Sequence, residues 1–86
     1  MPASSEIEVV LPAQLHARPA GAIVRAAAGF TSAIEIVYGE RVANARGVLA
    51  IMGLGAEAGA AVLVRANGDD APEAAKAIAE LLEIAT

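Results

Sequence analysis

The chain contains one histidine, and this residue offers the clearest chemistry in the sequence. His16 lies in the segment LHARPA, where a loop is predicted to end and a helix to begin. A neutral imidazole nitrogen is a nucleophile available near neutral pH. With His16 as the N-cap residue, the backbone N–H groups of Ala17 and Arg18 have no partner within the helix. These N–H groups, the helix dipole and the Arg18 guanidinium predict an anion site suited to a phosphoryl group.

Other interpretations of a lone histidine compete with this one. A histidine at a helix start is commonly a solvated surface residue or a cap, and the spacing by itself does not exclude that role. A metal site is disfavoured, because the chain has no cysteine and only carboxylates remain as co-ligands. No Ser/His/Asp combination is suggested by the local sequence, and there is no Gly-rich Walker loop.

Periodicity in the first half of the chain predicts the elements that flank His16. Apolar and acidic residues alternate from Glu6 to Leu11, which indicates a half-buried strand, and Pro12 to Leu15 is a loop. From Ala17 to Ala28 the apolar residues follow a helical spacing, with Ala20, Ile23, Val24 and Ala27 on one face. Gly29 follows in a suitable C′ position to stop this helix.

In the second half of the chain, the residue pattern predicts three more strands, two of them joined as a hairpin, and two helices. The predicted elements are a strand from Ala33 to Tyr38, a Gly39-Glu40 turn, a strand from Arg41 to Ala43, a short helix within Gly47 to Gly53, and a strand from Ala61 to Ala66 that ends at Asn67-Gly68.

The last predicted helix has the most complete start signal. Asp70 and Glu73 have the spacing of a capping box, and Pro72 lies in the first turn, where its missing N–H does no harm. An apolar stripe follows, formed by Ala74, Ile78, Leu81, Leu82 and Ala85. The order β-α-β-β-α-β-α predicts an α+β fold in two layers, an antiparallel sheet with helices on one face, as a single domain over residues 1–86.

Composition excludes several function classes. The 86 residues carry a net charge of −4 and only 2% aromatic residues, so a nucleic-acid partner is disfavoured. The acidic N-terminal segment does not read as a signal peptide, and no apolar run is long enough for a membrane span. We therefore expect a cytoplasmic protein without membrane insertion.

Several segments together resemble one known family. The segment LHARPA around His16 is similar to the phosphorylation-site motif of HPr, the histidine-containing phosphocarrier of the phosphoenolpyruvate-dependent sugar phosphotransferase system. The segment from Gly29 to Ser32 and the strand after it resemble the family's chain beyond its first helix. The stretch from Asn44 to Gly55 resembles its second-helix region. The similarity extends from about Glu6 to Glu83.

The resemblance implies an open-faced β-sandwich, with four antiparallel strands covered on one face by three helices. It implies that enzyme I, charged by phosphoenolpyruvate, phosphorylates His16, and that the phosphoryl group passes to the A domain of a sugar-specific enzyme II (EIIA). Arg18 and the backbone N–H groups of Ala17 and Arg18 would hold the phosphate. The implied docking residues are Ala20, Val48, Leu49 and Met52. The carrier would need no cofactor or metal, and we expect a monomer without independent enzymatic turnover.

The sequence departs from the family pattern in three places. Gly47 occupies the position of the regulatory serine found in many HPr proteins, so that regulation is expected to be absent. Gln14 replaces the usual glycine before Leu-His, which raises the question of backbone freedom in this loop. The basic fringe is thin, because only Arg18, Arg25 and Arg46 remain. Thr31 and Ser32 are interpreted as ordinary loop residues.

Alternatives to the sugar-transport carrier remain open. The chain is also compatible with a paralogous carrier, or a regulator that binds without transferring phosphate, in a nitrogen-type or dihydroxyacetone kinase phosphorelay. His16 together with Arg18 favours transfer over binding alone. A stand-alone enzyme is least favoured, because the chain shows no evident acid–base pair.

Overall fold

The strands and helices follow the order predicted from periodicity. The computed structural model describes residues 3–86, so Met1 and Pro2 of the predicted domain lie outside the described residues. The strands are β1 (Ala3–Val10), β2 (Ala33–Tyr38), β3 (Arg41–Asn44) and β4 (Ala61–Gly68). The helices are α1 (Ala17–Ala27), α2 (Val48–Met52) and α3 (Ala71–Glu83). This arrangement confirms the predicted α+β open-faced sandwich.

The sheet has the strand order β1-β4-β2-β3, and every neighbouring pair is antiparallel. Alternation along the strands sends one set of side chains into the core and the other to the open face. Glu6 and Glu8 are exposed on β1, whereas Val9 is buried. The helices cover the other face, where burial of apolar surface stabilises the fold. The largest buried side chains there include Leu11, Ile23, Ile34, Ile36, Ile51, Ile78 and Leu82.

Two strands extend beyond the predicted ranges. β1 begins at Ala3 rather than Glu6, and β4 continues through Asn67-Gly68 rather than ending there, because Ala3 pairs with Gly68. Backbone pairing needs no apolar alternation, so periodicity does not detect these residues. Gly68 has φ of 148°, and a Cβ there would lie 2.5 Å from the Ser32 hydroxyl oxygen. Only glycine fits this position.

Two predicted helix ends differ in detail. Gly29 lies just beyond the C-cap of α1, but its φ is not positive, and its N–H donates to the Ala26 carbonyl (3.0 Å). Asp70 is the N-cap residue of α3 and Pro72 lies in its first turn, as predicted, but the Asp70 side chain makes no capping bond. The predicted capping box is therefore wrong, because the carboxylate binds a different segment, residues 31–32.

Among residues 3–86, no helix has the length and apolar character needed to cross a membrane. The same residues contain no group of three or more His, Asp or Glu side chains placed to hold a metal ion.

Candidate functional site

Both ends of the loop before His16 are anchored to the rest of the protein. Leu15 is only 3% exposed, and its N–H donates to the Ala56 carbonyl (3.4 Å). Leu11 is buried at the start of the loop, and its carbonyl accepts from the Gly59 N–H (2.8 Å). Two buried leucines thus fix the segment that presents His16.

His16 is the N-cap residue of α1, as predicted, with extended backbone angles (φ −89°, ψ −170°). Its N–H donates to the Gln14 carbonyl (3.0 Å), and its carbonyl accepts from the Ala20 N–H (3.1 Å), which is the first bond of the helix. The side chain is exposed and makes no capping bond to its helix. The backbone of His16 is therefore held, while the imidazole faces solvent.

The first turn of α1 leaves two N–H groups for an anion. Ala17 and Arg18 are the first two helical residues, and within residues 3–86 neither N–H has a backbone acceptor. Pro19 comes third and carries no N–H. The first turn contains no acidic residue, so no side chain of this turn offsets the positive end of the helix dipole. The combination has the chemistry of an anion site next to an imidazole.

The Arg18 guanidinium is turned towards the other end of the chain. Its Nη2 donates to the Thr86 carbonyl (3.2 Å) and to the Thr86 hydroxyl. This contact closes one side of a surface cleft of about 170 Å³ between α1 and the end of α3, lined partly by Pro19, Leu81 and Ile84. The structure therefore places Arg18 beside His16 along the helix but directs its guanidinium to Thr86. This contact joins residues 68 positions apart, so no local signal predicts it.

Gln14 does not need the backbone freedom of glycine. Within residues 3–86 only glycines have positive φ, so the φ of Gln14 is not positive. Its carbonyl is used by the His16 N–H. The loop therefore reaches the same helix start with glutamine at this position, without strain from a left-handed conformation.

The predicted docking residues separate into two groups. Leu49 is 83% exposed and Met52 is 39% exposed, whereas Val48 is partly buried against the core. We call these three residues the α2 patch. Ala20 is 0% exposed, so its inclusion among the docking residues is wrong. It lies on the inner face of α1, and its helical spacing is that of a core residue.

The α2 patch is tied to the histidine loop through the chain that follows it. Met52 ends α2, and Ala56, four residues later, accepts the hydrogen bond from Leu15. Helices α1 and α2 also pack against each other. The patch and His16 are consequently held by one connected part of the structure.

Gly47 is the N-cap residue of α2, with φ −117° and no side-chain cap. Glycine has no hydroxyl, so this position cannot accept a phosphoryl group on its side chain. These backbone angles lie in a region that other residues adopt readily. The backbone at this position therefore does not require glycine. What the position lacks is the hydroxyl of a serine.

The comparisons with known proteins agree with this fold. Residues 3–83 match the family described as "PTS HPr component phosphorylation site". A phosphocarrier protein HPr of Lysinibacillus sphaericus is 37% identical over 79 residues, 92% of this chain and 90% of that protein. The crystal structure of a phosphocarrier protein HPr from Bacillus anthracis has a TM-score of 0.81 at 30% identity and covers 95% of this chain and 98% of that one.

A third match is a crystal structure of an HPr dimer from Thermoanaerobacter tengcongensis. Its TM-score is 0.71 at 42% identity, and it covers 78% of this chain and 77% of that one. Fold and comparisons together define a phosphocarrier protein. The chain belongs to the HPr family of the phosphotransferase system, which confirms the resemblance seen in its sequence.

Proposed function

We propose that His16 accepts a phosphoryl group from phospho-enzyme I, which obtains it from phosphoenolpyruvate, and passes it to the EIIA domain of a sugar-specific enzyme II. The observation that carries this proposal is the exposed imidazole of His16 at the N-cap of α1, next to two N–H groups without backbone acceptors. Membership of the HPr family supports the same role.

The transfer step needs only one side chain from this protein. A lone pair on an imidazole nitrogen attacks phosphorus, the new N–P bond forms, and the bond between phosphorus and the donor's leaving atom breaks. The second transfer reverses these roles, because the acceptor attacks phosphorus and the imidazole nitrogen leaves. The Ala17 and Arg18 N–H groups lie where the added negative charge would be, at the positive end of the helix.

Arg18 contributes a positive charge that can be redirected. Its guanidinium donates to Thr86, and its side chain as a whole remains exposed. A phosphoryl group on His16 would offer several charged oxygens as acceptors in place of the Thr86 main-chain oxygen and hydroxyl. We expect the guanidinium to exchange Thr86 for the phosphoryl oxygens when His16 is phosphorylated.

The α2 patch is the proposed docking surface for both partner proteins. Leu49 is the most exposed large apolar side chain among the described residues. An apolar side chain projecting at the centre of a contact is the kind of residue that fills a partner's pocket. The carrier would act as a monomer in the cytoplasm, with no turnover of its own, and without a serine switch because of Gly47.

The test is phosphorylation by enzyme I and labelled phosphoenolpyruvate. The parent chain should take up an acid-labile, alkali-stable label, and His16→Ala should take up none. Because the His16 side chain is exposed and makes no capping bond, His16→Ala should change the free energy of unfolding by less than roughly 0.5 kcal/mol. A folded His16→Ala protein that still accepts the label would contradict the proposal.

A further inference from the structure

We infer that Arg46, although it is an exposed residue, is a positioning residue that joins α1 to α2, and that it is not one of the cations that contact a partner. Three backbone carbonyls accept from its guanidinium: Ala27 (2.9 Å) and Phe30 (2.6 Å) from Nη2, and Ser32 (3.2 Å) from Nη1. The inference rests on the proposed function, because its consequence is measured in docking.

The guanidinium stabilises the C-terminal end of α1. Ala27 is the last residue of that helix, and its carbonyl accepts from the Phe30 N–H (3.2 Å) as well as from the guanidinium. A cation at this end also interacts favourably with the helix dipole. A planar guanidinium suits the contact, because its nitrogen atoms form a fork that reaches several acceptors at once.

The backbone of the same residue leads directly into α2. Arg46 precedes Gly47, the N-cap residue of α2, and its own N–H donates to the Asn44 side-chain oxygen (2.9 Å). The N–H of Ala45 donates to the Ile34 carbonyl (2.9 Å), and that of Gly47 donates to the Asn44 carbonyl (3.0 Å). With its backbone fixed at the start of α2 and its guanidinium fixed at the end of α1, Arg46 determines how the two helices lie.

The two helices carry the two halves of the proposed site. His16 begins α1, and the α2 patch belongs to α2. A partner must contact the patch and reach His16 together, so loosening the joint between the helices should weaken docking. The chemical step at His16 should be unaffected, since Arg46 makes no hydrogen bond to the loop from Pro12 to His16.

Phosphotransfer kinetics separate a positioning residue from a docking cation. We would measure KM and kcat for Arg46→Met with phospho-enzyme I as donor, well below its melting temperature and over a range of salt concentrations. We expect KM to rise roughly tenfold, the change that about 1.4 kcal/mol of binding free energy produces. The kcat and the slope of log KM against log salt should match the parent, because no charge at the interface is lost.

Three variants serve as controls. Arg25→Met removes an exposed arginine from the last turn of α1 and should reduce the salt slope, while lowering the melting temperature only by the small contribution of an exposed cation at a helix end. Arg65→Met breaks the ion pair with Glu35 (2.8 Å) on the open face of the sheet and should leave KM unchanged. Arg46→Lys keeps the charge without the planar fork, so it should retain most of the KM defect.

Several outcomes would overturn the inference. They are an unchanged KM in Arg46→Met, a defect that disappears at high salt, or full recovery with lysine. If the parent chain takes up no label in the phosphorylation assay, that result contradicts the proposed function and leaves the inference about Arg46 to a second measurement. The methyl NMR signals of Leu49 and Met52 then decide the inference, because they should shift in Arg46→Met and stay in place in Arg65→Met.

Discussion

The starts of α1 and α3 share two features but differ in backbone angles, with ψ of −170° at His16 and 27° at Asp70, and in purpose. Each helix follows an N-cap residue whose side chain makes no capping bond, and each has a proline in its first turn. The His16 side chain at the start of α1 faces solvent, whereas the Asp70 side chain at the start of α3 crosses to the loop between α1 and β2. The start of α1 is open to an anion, whereas the side chain at the start of α3 is bound by another loop of the protein.

The Asp70 carboxylate is fully engaged. It accepts from the N–H groups of Thr31 (2.9 Å) and Ser32 (2.9 Å) and from the Ser32 hydroxyl. Ser32 is only 1% exposed, so it is not the ordinary loop residue that was predicted. The hydrogen bond from its hydroxyl, followed by that from the Thr31 N–H, lowers the pKa of Asp70 from 3.8 to about 2.

This contrast shows how the two ends differ electrostatically. The first turn of α3 contains Glu73, an anion near the positive end of the helix, whereas the first turn of α1 contains no acidic residue. The protein supplies its own negative charge at α3. At α1 the first turn supplies no such charge, and the phosphoryl group that we propose for His16 would supply it.

The largest effect on stability is expected from Asp70→Asn, which weakens the hydrogen bonds between the start of α3 and residues 31–32. The folded-state pKa of Asp70 is depressed, so its contribution is present above the ordinary value of 3.8 and is lost as pH falls towards 2. Thermal unfolding from pH 7 to pH 2 should show a lower melting temperature for Asp70→Asn at pH 7. The difference from the parent should shrink between about pH 4 and pH 2.

Asp69→Asn is the matched control for that measurement. Asp69 is the exposed neighbour of Asp70, and the same charge is removed by its substitution. Its unfolding curve should follow that of the parent closely over the whole pH range. Parallel curves for the parent and Asp70→Asn down to pH 2 would show that the carboxylate does not stabilise the loop in the way described.

A smaller effect, on transfer and not on stability, is expected from Arg18→Ala at the open end. Loss of one charged contact to the transferring group should slow phosphoryl transfer on the order of tenfold. The free energy of unfolding should change by less than about 1 kcal/mol, because the residue is exposed. Single-turnover transfer and thermal unfolding give the two quantities.

Thr86→Ala separates the two roles of this arginine. It removes the hydroxyl that accepts from Arg18 but leaves the guanidinium in place. Transfer in Thr86→Ala should be as fast as in the parent or faster, because the guanidinium is held less firmly. If both variants slow transfer equally, the contact with Thr86 itself assists transfer, and the proposed exchange of partners is wrong.

The smallest effect is expected from giving α2 the side-chain cap that neither α1 nor α3 has. In Gly47→Ser and Gly47→Ala, a Cβ would lie 3.3 Å from the Ala50 Cβ, so both variants require the same small adjustment. Only serine supplies a capping hydroxyl. Gly47→Ser should therefore be more stable than Gly47→Ala by about 1 kcal/mol. Equal denaturant midpoints for the two variants would show that the hydroxyl does not reach the helix.

The contacts around residues 30–32 are features that the sequence did not predict. Asp70 reaches this loop from α3, and Arg46 reaches it from the segment before α2. Spacing suggested a capping box for Asp70, and the family resemblance placed Arg46 in a basic fringe. Both side chains instead bind groups at least 14 positions away, where no periodic pattern connects donor and acceptor.

Local patterns in the sequence were sufficient to predict the order of the elements, the antiparallel sheet with helices on one face, and the place of His16 at a helix start. These features follow from local rules, because alternation, helical spacing and helix-breaking residues act over a few positions. The ranges of most elements were accordingly predicted to within a few residues.

Tertiary packing, in contrast, sets which side chains are free and which form hydrogen bonds. It buried Ala20, left Leu49 exposed, and gave Arg18, Arg46 and Asp70 partners from distant parts of the chain. A hydrogen bond between distant residues depends on how whole elements pack, and packing is set by the complete core. The imidazole of His16 remains open because that packing places no competing side chain on it.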